Sequence, residues 1–260
     1  DVNFLKSKGK DVVIVSSGSI ALGRRILNLS KEILELDESQ AAAAVGQIFL
    51  ANAYKNFLSK YSLITGQILV TSEDSQNRKR YLNTRSTFST LLNYGVVPIV
   101  NENDTVATEE IKFGDNDRLA AQVASICDAD ILILFSDVDG LYTSNPKKDP
   151  SAKHIEKVNT LSKEIYDYAD TSDTYFAKGG MKTKLDAAKL AMNSGVSLVI
   201  AKGKSKNPIK KLLDGGKSTW FLPSDDVKTA RKQWILSTKA KGKIFIDHGA
   251  IKALENGKSL

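Results

Sequence analysis

The stretch Pro98-Ile99-Val100-Asn101-Glu102-Asn103-Asp104-Thr105-Val106-Ala107-Thr108-Glu109-Glu110-Ile111-Lys112-Phe113-Gly114-Asp115-Asn116-Asp117 decides how the chain is read. Its approach, Val96 to Val100, has the length and β-branched content of a buried strand. The strand stops abruptly in Asn101-Glu102-Asn103-Asp104. A second polar cluster, Gly114 to Asp117, opens straight into the helical pattern Arg118-Leu119-Ala120-Ala121-Gln122-Val123. A buried strand that ends in amides and acids, followed by a helix that begins with them, delivers a loaded loop to the rim of a sheet. Few structural turns need such a concentration of polar groups. The stretch is read as the substrate-binding loop of an enzyme, with Thr105 to Phe113 covering the pocket.

Other runs are punctuated in the same way. Asp11-Val12-Val13-Ile14-Val15 reads as a strand that enters Ser16-Ser17-Gly18-Ser19 and then an Ala/Leu-rich helix to about Leu29. Ile131-Leu132-Ile133-Leu134-Phe135, the strongest strand signal, ends at Ser136-Asp137-Val138-Asp139-Gly140, and Val196 to Ala201 ends at Lys202-Gly203. A further strand is expected at Gln67–Val70, and helices at 38–59, 78–94, 117–126 and 185–193. Gly46-Gln47 sits in the middle of the first of these helices. Close packing, or the approach of a ligand, would explain a glycine that costs a helix interior about 1 kcal/mol. Alternating strands and helices, with strands apolar on both faces, argue for an α/β fold with a mainly parallel sheet between helix layers. Ligands in such folds lie beyond the carboxyl ends of the strands, where all these polar clusters fall.

Ala177-Lys178-Gly179-Gly180-Met181-Lys182-Thr183-Lys184 opens a helix with two glycines among lysines, a pattern that suits an anion. It does not match the Walker A spacing. Asp137-x-Asp139-Gly140 begins like a calcium loop, but the later oxygen ligands are absent.

The bulk composition narrows the chemistry. A chain of 260 residues with 42% hydrophobic content holds one large domain, or one domain and part of another. The net charge of +7 could draw an anionic substrate or nucleic acid. No aromatic-basic stacking motif accompanies it, so the sequence gives RNA binding no support. A single cysteine, Cys127, rules out a disulfide framework and fits a reducing cytoplasm. No apolar run approaches the ~20 residues of a membrane span. Two histidines far apart give no support to a His-based metal site or to Ser-His-Asp catalysis. The burden falls on Lys, Asp, Asn and backbone groups. That inventory suits phosphoryl transfer, which needs positioning, a divalent metal and charge neutralisation rather than a covalent nucleophile. A pocket of Asn and Asp with a cationic neighbour also suits a zwitterionic amino acid.

Five motifs, Val15 to Ala21, Val100 to Asp104, Lys112 to Asp117, Ser136 to Tyr142 and Lys178 to Lys184, resemble in this order the glutamate-phosphorylating branch of the amino acid kinase family. The resemblance implies a three-layer αβα sandwich, ATP-dependent phosphorylation of the glutamate γ-carboxylate with Mg²⁺, and a place at the start of proline synthesis. By matching position it implies that Ser17, Asp104 and Asn116 bind glutamate. Ser136, Asp137 and the run Lys178, Gly179, Gly180, Met181, Lys182, Thr183 and Lys184 would contact the nucleotide. Lys184 would also stabilise the moving phosphoryl group, with Asp117 organising the lysines. No residue is assigned as a metal ligand. Feedback by proline and assembly into a dimer or tetramer are further implications. The family's opening strand carries Lys-x-Gly-[Ser/Thr]. No such motif stands before Asp11, so that strand is expected upstream. Residues 1–227 are assigned to the kinase domain, 228–240 to a linker, and 241–260 to the start of a PUA-like domain opening with a strand near Lys243.

Overall fold

Strand β3 (Val97–Glu102) shows in six residues how the layers are built. It lies between β1 (Ile14–Val15) and β2 (Thr65–Val70), parallel to both. Its alternate side chains face opposite ways. Val97 and Ile99 pack with Leu58 and Tyr54 of helix α3 (Leu36–Leu58), and with Val2 of α1 (Val2–Ser7). Val100 packs with Tyr81 and Phe88 of α5 (Arg78–Asn93) and with Leu119 and Val123 of α6 (Asp115–Cys127). The computed structural model of the chain describes residues 1–31, 33–106, 115–170, 180–223 and 245–256.

A second sheet repeats the arrangement. Its order is β4 (Ile131–Ser136), β8 (Ser197–Lys202), β9 (Ser218–Phe221), β7 (Lys157–Val158). The β4–β8 and β7–β9 pairs are parallel, and β8–β9 is antiparallel. Leu198 and Ile200 of β8 face α6 and α8 (Met181–Asn193), through Ala120, Ala124, Ala187 and Ala191. Val199 and Ala201 face Leu212 of α9 (Pro208–Leu213). Helix α6 contacts strands of both sheets. Together these pairings give the expected α/β sandwich with a mainly parallel sheet. A two-stranded antiparallel ladder, β5 (Leu141–Tyr142) with β6 (His154–Ile155), comes after the end of β4, and α7 (Lys163–Asp170) packs toward α8.

Local chemistry sets several element boundaries. Thr71 and Asp74 form a reciprocal capping box for α4 (Ser72–Gln76), and Asn77 accepts from Lys79 N and Arg80 N to start α5. Helix α2 (Ser19–Ile26) begins after Gly18, whose φ of 103° lies in the left-handed region that glycine enters without strain. A Cβ on Gly46 would lie 1.8 Å from the Ser19 carbonyl oxygen, and one on Gly23 would lie 1.7 Å from that of Ala42. Helices α2 and α3 therefore touch backbone to backbone, so close packing explains Gly46.

Two sequence expectations are corrected. Strand β1 covers only Ile14 and Val15, because Val13 would face Pro98, which has no N–H to give a ladder. Helix α8 begins at Met181 rather than Leu185, since Gly180 serves as its extended N-cap and the polar Lys182, Thr183 and Lys184 fill the first turn. Lys243 and Ile244, where a last strand is expected to open, lie outside the described residues. Phe245 to Asp247 are unpaired, and Asp247 accepts from Ala250 N at 2.8 Å to cap helix α10 (His248–Glu255). The linker at 228–240 lies outside the described residues.

Candidate functional site

Parallel strands end on one side, so their polar termini collect there. Two clusters of side chains stand out. The first joins the β1–α2 turn, the end of β3 and the middle of α3. Ser19 Oγ donates to Asp104 Oδ2 at 3.3 Å, Asn101 Nδ2 donates to Ser19 Oγ at 3.2 Å, and the same Nδ2 donates to Gln47 Oε1 at 2.7 Å. All four side chains are buried. Asp104 is only 6% exposed and forms no ion pair among the described residues. Burial holds its carboxyl above the ordinary 3.8, and the Ser19 hydrogen bond opposes that rise. An acid placed this way favours the arrival of a cation. Beside it lies a cavity of about 280 Å³ lined by Ala43, Gln47, Glu102, Asp104 and Thr105 among others.

The second cluster joins the starts of α6 and α8. Lys184 Nζ donates to Asp117 Oδ2 at 2.9 Å, and Thr183 Oγ1 donates to the same oxygen at 3.0 Å. The Lys184 and Asp117 side chains are 13% and 19% exposed, so water screens the pair little. Gly180, the N-cap of α8, supplies no side-chain cap. Thr183 N donates to the Gly180 carbonyl at 3.2 Å, and the other first-turn amides are backbone donors of the kind a phosphate can take.

Of the residues singled out in the sequence, Asp117, Thr183 and Lys184 form one cluster. Asp104 belongs to the other. Ser17 is exposed in the turn just ahead of Ser19, and Asn116 is half-buried one residue before Asp117. Ser136 Oγ donates to Asp137 Oδ1 at 3.1 Å at the end of β4, next to β8, where Gly203 N donates to the Ser136 carbonyl at 2.8 Å. No hydrogen bond among the described residues joins that pair or Asn116 to either cluster. Gly180, Met181 and Lys182 open α8, whereas Lys178 and Gly179 lie outside the described residues, as do Ala107 to Phe113 of the expected cover. The sequence places Ser19 in a strand-end cluster and flags Gly46-Gln47, but gives neither Ser19 nor Gln47 a role in the site. A polar residue in an Ala-rich helix, directly after a glycine, was the available signal for Gln47.

Groups of three or more His, Cys, Asp or Glu able to hold a metal are absent among the described residues. Burial pushes the Cys127 thiol up to about 12, the state of an inert structural cysteine. None of the described helices is long and apolar enough to cross a membrane.

Comparison with known proteins gives three findings. The sequence profile of the amino acid kinase family matches residues 1–202. The chain is 54% identical over 260 residues to the glutamate 5-kinase of Dinoroseobacter shibae, covering 100% of this chain and 71% of that one. It is 51% identical over 261 residues to the glutamate 5-kinase of Agrobacterium fabrum, covering 100% and 67%. Among solved structures, carbamate kinase from Giardia lamblia bound to AMP-PNP is similar with a TM-score of 0.57 at 17% identity, covering 86% of this chain and 87% of that one. An isopentenyl phosphate kinase is similar at 0.53 and 18%, covering 84% and 87%. At these identities the two structures speak for the fold alone.

Proposed function

The chain belongs to the amino acid kinase family, and from that premise we propose that it transfers the γ-phosphoryl group of ATP to the γ-carboxylate of L-glutamate. The products are γ-glutamyl phosphate and ADP, and the reaction opens proline biosynthesis. The observation that carries the reading is the Lys184 ammonium, held at 2.9 Å by Asp117 at the amino end of α8.

Each residue has a physical task in this reaction. A glutamate γ-carboxylate oxygen attacks the γ-phosphorus in line, and the bond to the β,γ-bridging oxygen breaks, leaving the electron pair on ADP. Negative charge builds on the oxygens in flight. A fixed ammonium such as Lys184 gains most from that build-up, so it lowers the barrier more than it strengthens substrate binding. Asp117 and Thr183 restrict where that ammonium sits. Asp104 pairs with the substrate's α-ammonium, and Ser17 and Asn116 complete the amino-acid pocket. Ser136, Asp137 and the residues Lys178 to Lys184 receive the nucleotide.

Mg²⁺, when bound with the nucleotide, would neutralise charge on the phosphates. Mg²⁺ commonly keeps waters and takes its ligands from substrate phosphates, and no residue of this chain is assigned to hold it.

Assembly into a dimer or tetramer belongs to the same reading. Ile48, Phe57 and Ile64, 64%, 66% and 67% exposed, are surface that an assembly would cover. Inhibition by proline, a cytoplasmic location and a PUA-like module after residue 240 rest on the family resemblance.

The test is ADP release by the full chain with glutamate, aspartate or N-acetylglutamate. Turnover with glutamate alone is expected, because acetylation removes the cation that Asp104 pairs with and aspartate is one methylene short. Equal turnover on all three overturns the assignment.

A further inference from the structure

The hydrogen-bond chain that ends on Asp104 has a direction, and the direction starts at Gln47. An ionised carboxylate only accepts, so the 3.3 Å contact requires Ser19 Oγ to donate to Asp104. The hydroxyl has then used its one proton and accepts at 3.2 Å, which requires Asn101 to present Nδ2. That amide group also faces Gln47 at 2.7 Å, the shortest contact of the three, so Gln47 must present Oε1.

The arrangement leaves Gln47 Nε2 buried with no partner among the described residues, although Gln47 is only 9% exposed. An unpaired buried donor is destabilising, so the network holds a cost. Turning the Gln47 amide alone would set two N–H groups against each other. Turning both amides would satisfy Gln47 Nε2, but it would draw the Ser19 proton to Asn101 Oδ1 and leave Asp104 without a side-chain donor.

We infer that Gln47 is a positioning residue of the amino-acid pocket, acting through Asn101 and Ser19 to keep the Ser19 hydroxyl pointed at an ionised Asp104. The inference rests on the reading of Asp104 as the partner of the substrate ammonium. Gly46 supports it independently, because its backbone contact with Ser19 fixes the height of Gln47 against the β1–α2 turn. Around Asp104, α2 offers the neutral Ser19, α3 offers Gln47, and β3 offers Asn101 and Glu102. Of the described residues lining the cavity, only Asp104 and Glu102 carry acidic or basic side chains.

The test measures kcat and glutamate KM across the acid limb of the pH profile, in the full chain, for wild type, Gln47→Met, Ser19→Ala, the double variant and Asp104→Asn. Gln47→Met frees Asn101 to turn, so Asp104 loses its donor. Glutamate KM is expected to rise about five- to tenfold. The acid limb of kcat/KM should move to higher pH, with kcat at saturation changed less than about twofold. Ser19→Ala should give the same displacement, and adding Gln47→Met to it should add nothing. Additive effects, or a Gln47→Met enzyme that loses thermal stability with its acid limb in place, overturn the inference. Gln47→Leu replaces the methionine variant if that one does not fold. Asp104→Asn with unchanged glutamate KM removes Asp104 from the pocket, and the inference falls with it. A raised KM in Asp104→Asn together with a silent Gln47→Met sinks the role of Gln47 alone.

Discussion

Two aspartates drawn from one stretch of sequence end in opposite electrostatic circumstances. Asp117 meets the Lys184 ammonium at 2.9 Å and the Thr183 hydroxyl at 3.0 Å. Asp104 is more deeply buried, accepts from one hydroxyl at 3.3 Å and has no cation among the described residues. A carboxylate already paired serves its partner, and here it fixes a lysine. A carboxylate buried without a partner carries a desolvation cost that a ligand can relieve. On the proposed reading, the contrast divides the stretch into a half that would aim the chemistry and a half that would recognise the substrate's positive end.

The sharpest way to break this division is to remove the lysine. Lys184→Ala is expected to lower kcat by about 10²–10³-fold with a far smaller change in glutamate KM, as for the loss of one charge-stabilising donor. Steady-state kinetics at saturating ATP decide it, and a change mainly in KM would move Lys184 to the recognition half. Asp117→Asn should come next, at about 10–100-fold in kcat, because the ammonium stays but is no longer fixed. Retained kcat there would mean that Asp117 does not position Lys184.

Asp104→Asn should invert the pattern. Glutamate KM rises about tenfold or more while kcat changes by less than about threefold, since only ground-state pairing with the ammonium is lost. Titration of the wild type gives the smallest effect, and its sign comes from the raised pKa of Asp104. Because the folded value lies above 3.8, the carboxyl protonates earlier on acidification than an ordinary one does. A protonated Asp104 cannot pair with an ammonium, so kcat/KM for glutamate should fall as pH drops through that raised value. The same group makes its contribution to stability below the ordinary carboxylate range and loses it as pH rises through the folded value. Glutamate should therefore raise the Tm at neutral pH more for wild type than for Asp104→Asn.

Much of this contrast was legible in the sequence, because the signals were local. The run Val96 to Val100 breaking into Asn101 to Asp104 marks a strand end, and Gly114 to Asp117 ahead of Arg118 marks a helix start. The link from Asp117 to Lys184, 67 residues on, came from resemblance and not from spacing. Partners from elements distant in sequence were not legible. Gln47 and Asn101 are 54 residues apart, and only the meeting of α3 with the end of β3 makes them neighbours. Polar Lys182 to Lys184 lack the apolar rhythm that marks a core-facing helix, so pattern alone starts α8 one turn late. The run from Lys243 lies partly outside the described residues, and the cap at Asp247 commits the residues from His248 onward to a helix.

The backbone contact made through Gly23 and Gly46 has a consequence for how the site opens. Helix α2, at eight residues, is too short to persist by itself in water. Its order is borrowed from α3, against which it lies with no side chain between. Amides of the two helices should therefore exchange with deuterium as one cooperative unit rather than as a frayed turn beside a stable helix. On that footing the serine turn that meets Asp104 should let go only when the whole unit detaches, and the proposed amino-acid pocket should keep its shape between turnovers.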